Sequence, residues 1–293
     1  MISYDAQLKQ QISSQVAFAL VEDIGSGDIT AQLIPIEQTI SANVISRDKA
    51  VLCGQAWVEE IFNQLDESVQ IHWLVKEGDW LEPNKPFLQL SGNARSILTG
   101  ERSALNFLQT LSYTATITRE YADLIADTTL TLLDTRKTIP GLRLAQKYAV
   151  AVGGNTINSD EGRARNHRLG LYDAFLIKEN HIMAAGSIGN AINKAKEIAP
   201  GKTIEIETEN MDEVAQAVIA GADIIMLDNF SLETMKEAVE LYGSQVKFEA
   251  SGNMTREDIL RVAATKVDFI SIGALTKHIQ AIDLSLRVVK ETL

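Results

Sequence analysis

The sequence predicts an α/β protein, an incomplete α/β barrel preceded by an N-terminal α+β sandwich domain. Three observations carry this. Through the second half, short β-like runs each lead into a segment with helical spacing. Those runs are apolar on both faces, and residues 1–112 break the rhythm with strands and turns. Alternating β and α at this interval implies parallel strands with right-handed crossovers, and doubly apolar strands suit a closed or nearly closed barrel. The domains read as 1–112 for the sandwich and 113–275 for the barrel, with a C-terminal helix over 276–293 packing back on the first domain.

In the first domain, Val44–Leu52 and Val69–Val75 read as strands, and Glu77–Gly92 reads as turn, strand, turn, strand. That hairpin resembles half of a lipoyl- or biotinyl-type fold, but it lacks an exposed carrier lysine flanked by Met. Ile97–Leu124 runs helical, with Arg102 beside Leu98 and Leu105 on or next to the apolar stripe. An arginine there can snorkel or pair with Glu101. Set against a partner subunit, it can bind an anion instead.

In the barrel, the strands are Thr129–Asp134, Ala174–Lys178, Thr203–Glu207, Asp223–Asp228, Val246–Ser251 and Val267–Gly273. Apolar residues fall at helical spacing in Ser187–Ile198, Met211–Ala220, Leu232–Leu241 and Arg256–Ala264. Asp134 with Arg136 and Lys137, then Lys178, Glu207, Asp228, Ser251-Gly252 and Gly273, close the strands at their C-terminal ends. In an α/β barrel those ends converge on the rim that carries the active site. Asp228 or Ser251 could instead be helix N-caps. Lys178 and Glu207 are poor caps.

The chain has 293 residues, a net charge of −12, 45% apolar residues and 23% charged ones. Its single cysteine, Cys53, cannot form an internal disulfide. The first residues lack a basic segment followed by an apolar one, and no apolar run approaches the ~20 residues that span a bilayer. A cytoplasmic protein is the default expectation. Against this acidic background, residues 134–181 concentrate Arg, Lys and His. A local cation cluster suggests a pocket for a small, multiply charged anion. Binding to nucleic acid or an anionic membrane would need a basic face.

Adjacent Arg136 and Lys137 give a planar fork beside a mobile point charge, which suits a carboxylate or phosphate. The Thr138–Gly141 turn opens a helix whose first amides add to that attraction. His167, Arg168 and Lys178 supply further cationic groups. Lys178 closes the apolar run Ala174–Ile177, so a Schiff-base aldolase is one reading; the neighbouring charges favour ion binding. The histidines have no metal-ligand spacing. Glu207 and Asp228 could hold Mg²⁺ through water and substrate phosphates, or bond ribose hydroxyls. Ser251-Gly252-Asn253 and Ser271-Ile272-Gly273-Ala274 are small-residue loops of the kind that cradles a phosphate. Two substrates fit: a small polyanion, and a phosphorylated sugar brought with Mg²⁺.

Longer motifs run nearly end to end: Glu22–Thr30, Gly100–Asn106, Asp134–Leu142, Asn166–Arg168, Leu176–His181, Met226–Asn229, Ser251-Gly252 and Gly273–Lys277. Together they resemble the quinolinate phosphoribosyltransferase family. The resemblance implies transfer of phosphoribosyl from phosphoribosyl pyrophosphate to quinolinate with decarboxylation, giving nicotinate mononucleotide, pyrophosphate and CO₂. It implies Mg²⁺ as cofactor, and a homodimer or dimer-based hexamer in which Arg102 enters the partner's site. Lys137, Lys178, Glu207 and Asp228 would be the catalytic groups. Thr135, Arg136, Lys137, His167, Arg168 and Lys178 would line quinolinate and the neighbouring phosphate. Glu207 and Asp228 would serve the ribose and the metal, while Ser251, Gly252, Asn253, Ile272, Gly273 and Ala274 would hold phosphate. A molybdate-linked anion-binding homologue shares the resemblance as an alternative. One departure stands out. Family members usually have three glycines, one residue, then Asn-His-Arg. Here Gly153-Gly154 leads into the polar run 155–165, whose composition predicts mobility.

Overall fold

The computed structural model describes residues 6–157, 162–252 and 254–289. It divides into two compact units. One takes in the described parts of 1–119, 138–160 and 275–293; the other covers those of 120–137 and 161–274.

The first unit opens with helix α1 (Ala6–Ile24), for which the sequence offered no expectation. It buries Leu8, Ile12, Val16 and Leu20, a four-residue spacing that makes one stripe of the helix apolar. Strands β1 (Thr39–Ser46) and β2 (Ala50–Val51) follow, then α2 (Gln55–Leu65) and β3 (Gln70–Trp73). Next come β4 (Trp80–Leu81), β5 (Pro86–Asn93) and the long helix α3 (Ala94–Leu124). β4 and β5 do not form the expected hairpin. β4 pairs antiparallel with β2, while β5 lies between β1 and β3. Trp57 anchors the core, with its ring 5.5 Å from Tyr148 and 6.4 Å from Phe107, and its Nε1–H donated to Gln15 Oε1 at 2.9 Å.

The second unit is a seven-stranded parallel sheet in the order β7-β6-β12-β11-β10-β9-β8. Its strands are β6 (Thr131–Leu133), β7 (Ala164–Arg165), β8 (Phe175–Ile177), β9 (Ile204–Thr208), β10 (Ile224–Asp228), β11 (Lys247–Ser251) and β12 (Phe269–Ser271). Helix α4 (Arg143–Gly153) belongs to the first unit, whereas α5 (Glu179–Ala185), α6 (Ile188–Ile198), α7 (Met211–Ala220), α8 (Leu232–Tyr242) and α9 (Asp258–Ala263) alternate with the parallel strands. Among the described residues, β7 and β8 are the two edges of this sheet and do not pair with each other, so the barrel is incomplete. Local chemistry marks the helix ends. Ser187, Asn210 and Ser231 accept the third-residue N–H of α6, α7 and α8, and Gly186 and Gly221 take left-handed conformations after α5 and α7.

The C-terminal expectation needs correction. After the short helix α10 (Ala274–Lys277), the chain forms a strand, β13 (Leu284–Val288), antiparallel to β1. Leu284, Leu286 and Val288 alternate with Ser285 and Arg287, a period of two that sets a strand face rather than a helix stripe. The order of this sheet is β13-β1-β5-β3. Residues 290–293 of the expected helix and 158–161 of the expected mobile run lie outside the described residues.

Candidate active site

Parallel pairing puts one face of several strands in register. Lys178 follows β8, whose Leu176 pairs with Glu205; on β9, Glu207 pairs with Met226; on β10, Asp228 pairs with Ser251. Because side chains alternate, Glu205 and Glu207 share a face, as do Glu249 and Ser251. Lys178, Glu207, Asp228, Glu249 and Ser251 border a cavity of about 470 Å³ at the C-terminal strand ends. Thr135, Arg136, Lys137, His167, Arg168, Lys178, Glu207, Asp228 and Ser251, all expected from the sequence, line it.

Each polar group has a definite support. Asp134 is fully buried, and its two oxygens accept His167 N–H and Asn166 Nδ2–H, both at 2.8 Å. It thereby ties the Asn-His-Arg segment to the end of β6. Thr135 Oγ1 accepts Lys137 N–H at 3.1 Å. Lys178 occupies the N-cap of α5, but His181 Nδ1 takes its N–H at 3.0 Å, so the ammonium is free to bridge Glu207. Asn210 and Ser231 cap α7 and α8, which leaves Asp228 uncommitted to capping.

Arg136 and Arg168 hold the strongest electrostatic demand. Both Nε atoms are buried without a hydrogen-bond partner among the described residues. Burial lowers the Arg168 pKa, and the adjacent Arg136 charge lowers it further. An oxyanion would relieve both the unpaired donors and the repulsion.

Beneath them sits a cluster for which the sequence offered no expectation. His167 Nε2 lies 2.9 Å from Glu205 and 3.4 Å from Glu249. Burial raises Glu205 to about 7, helped by the Glu249 charge. The three ligand atoms lie within 4.8 Å of one another, a geometry that could hold a metal ion. The signal was present: Glu205 stands two residues before Glu207, and Glu249 two before Ser251, so strand periodicity puts them on the site face.

Other expected residues stand differently. Gly252 has φ +141°, and a Cβ there would come within 2.8 Å of Asn229 Oδ1. At Gly273 a Cβ would lie 3.2 Å from Lys137 Cδ, so the missing side chain makes room for the lysine. Ile272 is buried, and its N–H donates to Leu133 O at 3.0 Å. That bond continues the β12–β6 ladder and engages the Ile272 amide. Ala274 begins α10 without bordering the cavity, and Asn253 lies outside the described residues. Arg102 belongs to the first unit, where it lines a separate hollow of about 260 Å³ with Asp23, Asp28 and Thr99. A larger hollow in that unit, about 600 Å³, has Glu22 and Asp23 among apolar walls and no cation, so it does not suit an anion.

The fold and rim define an α/β-barrel enzyme site built for anionic substrates. Two family models match the chain: the quinolinate phosphoribosyl transferase N-terminal domain over residues 28–112 and its C-terminal domain over 114–287. The chain belongs to the quinolinate phosphoribosyl transferase family. It is 40% identical over 279 residues to the probable carboxylating nicotinate-nucleotide pyrophosphorylase of Bacillus subtilis, covering 95% of this chain and 93% of that protein. The chloroplastic enzyme of that name from Arabidopsis thaliana is 37% identical, with coverages of 94% and 82%. The solved nicotinate-nucleotide pyrophosphorylase of Francisella tularensis superposes with a TM-score of 0.90 at 49% identity, covering 96% of this chain and 97% of that one. Among the described residues, no helix is long and apolar enough to cross a membrane.

Proposed function

We propose that this chain transfers phosphoribosyl from phosphoribosyl pyrophosphate to quinolinate and releases CO₂, forming nicotinate mononucleotide and pyrophosphate. The observation that carries it is the pair of guanidiniums, Arg136 and Arg168, with buried unpartnered Nε atoms, in one cavity with the carboxylates Glu207 and Asp228. A pyridine diacid satisfies the cations. The carboxylates suit a ribose that gains positive character as its bond to pyrophosphate breaks.

Glu207 and Asp228 are hard oxygen donors near solvent, the type that suits Mg²⁺ bound partly through water. When bound, Mg²⁺ would neutralise charge on the leaving pyrophosphate. The protein's own groups do the remainder. Arg136, Lys137 and Arg168 orient the diacid so that its nitrogen faces C1 of the ribose. Lys178 bridges Glu207 and so keeps the carboxylate aimed at the sugar. Once the nitrogen is alkylated, loss of the 2-carboxylate as CO₂ leaves the electron pair on C2, where the adjacent positive nitrogen stabilises it until C2 takes up a proton from water. No separate electron sink is then required.

Arg102 would complete the site from a second subunit in a homodimer or a dimer-based hexamer. The Schiff-base reading loses support, because Lys178 Nζ, the atom that would attack a carbonyl, is engaged by Glu207. The test is a nicotinate mononucleotide assay with and without Mg²⁺. Product and CO₂ released in equal amounts only with Mg²⁺ support the proposal. Quinolinate binding with no product would favour an anion-binding homologue.

A further inference from the structure

His167 lines the rim cavity, yet both of its ring nitrogens are engaged by the protein itself. Its Nδ1 lies 2.7 Å from the backbone nitrogen of Arg168, in hydrogen-bond geometry. A backbone N–H can only donate, so Nδ1 accepts and carries no proton. Nε2 then holds the ring proton and donates it to Glu205, 2.9 Å away. Burial opposes a charged ring and the two carboxylates favour one, pushing its pKa up to about 10, but the N–H aimed at Nδ1 leaves no room for the second proton. Glu249 stands behind at 3.4 Å, fully buried, with neither oxygen hydrogen-bonded among the described residues. Among the described residues, Glu205 Oε1 is also without a hydrogen bond, and the two acids interact with each other and with His167. A buried acid costs stability unless its position has a use.

We infer that Glu205, backed by Glu249, is a positioning residue that holds His167 in its Nε2–H tautomer, so that Nδ1 fixes the Arg168 backbone and aims its guanidinium at the substrate carboxylates. Asp134 fixes the other end of the same segment through His167 N–H and Asn166. The segment is therefore pinned on both sides, with Arg168 Nη1 resting on Ala174 O at 3.3 Å as a third point. An acid on one ring nitrogen of a histidine sets the tautomer of the other; here the beneficiary is a backbone amide.

This inference rests on the proposed reaction, and its test separates the two. Wild-type protein, Glu205→Ala and Glu205→Gln are assayed for nicotinate mononucleotide formation and for quinolinate binding. Glutamine keeps an acceptor for Nε2–H, whereas alanine removes it. Glu205→Ala should raise the quinolinate KM by roughly tenfold or more, and Glu205→Gln should recover most of that loss. ¹⁵N NMR of labelled histidine should report a neutral Nε2–H ring for His167 in wild type and Glu205→Gln, and a changed state in Glu205→Ala. If wild type forms no product, the proposed reaction fails on its own account, while the NMR tautomer still decides the positioning role. An imidazolium or Nδ1–H ring in wild type would overturn the inference. So would equal losses in the Ala and Gln variants, or one divalent metal ion per chain that is lost in Glu205→Gln.

Discussion

At Arg168 the backbone and the side chain do separate jobs: the N–H is tied to His167 Nδ1, and the guanidinium Nε is buried without a partner. In the proposed reaction, removing that guanidinium would leave a substrate carboxylate without its bidentate partner. Arg168→Ala or Lys137→Ala should lower product formation by at least about 100-fold, with circular dichroism and melting temperature near wild type. Turnover close to wild type in both would remove them from the site. Glu205 gives a stability prediction. Its folded pKa is about 7 against 4.5 in the unfolded chain, raised by burial and then by Glu249. At low pH both states hold the proton and nothing is lost. Between about 4.5 and 7 the unfolded chain releases it first, so stability falls as pH rises. Melting from pH 4 to 8 should therefore show a steeper decline in wild type than in Glu205→Gln. Parallel curves would mean that Glu205 ionises normally.

Elements carry the rim through their ends. The loop after β11 turns at Gly252 with φ +141°, where a side chain would also meet Asn229. Gly252→Ala should cost roughly 1–3 kcal/mol, read as a lower urea midpoint at unchanged slope. An unchanged midpoint would mean the loop adopts another conformation at no cost. Asn210 offers a contrast, since it caps α7 through Glu213 N–H at 3.0 Å and its side-chain amide donates to Glu213 as well. Asn210→Ala should lose about 1 kcal/mol of stability and leave the quinolinate KM alone. A shift in KM would reveal coupling between α7 and the β9 end that the cap does not explain.

Over the whole molecule, the net charge of −12 coexists with a cationic rim. Only local desolvated donors can then attract an anion, since the long-range field opposes it. The assembly prediction belongs here. If Arg102 completes a neighbouring subunit's site, then Arg102→Ala and Lys137→Ala proteins should each be inactive alone. Exchanging their subunits should restore activity, because one of the two sites in a mixed dimer regains both side chains. Continued inactivity after exchange, verified by mass spectrometry of the mixed species, would make Arg102 a residue of its own chain.

Much of this was legible in the residues themselves. Periodicity sets the parallel strands and their helices, and the charged residues that close those strands mark the rim, because parallel βα units leave the C-terminal ends on one side. The misreadings share a cause. Leu284–Val288 could extend as a helix or a strand until β1 supplied its hydrogen-bond partners, and β4 and β5 looked like neighbours until β2 and β1 claimed them. Glu205 and Glu249 read as ordinary acids in apolar strands. Their meaning came only when three distant segments set a histidine between them, since which charges are buried together is a property of packing and not of sequence order.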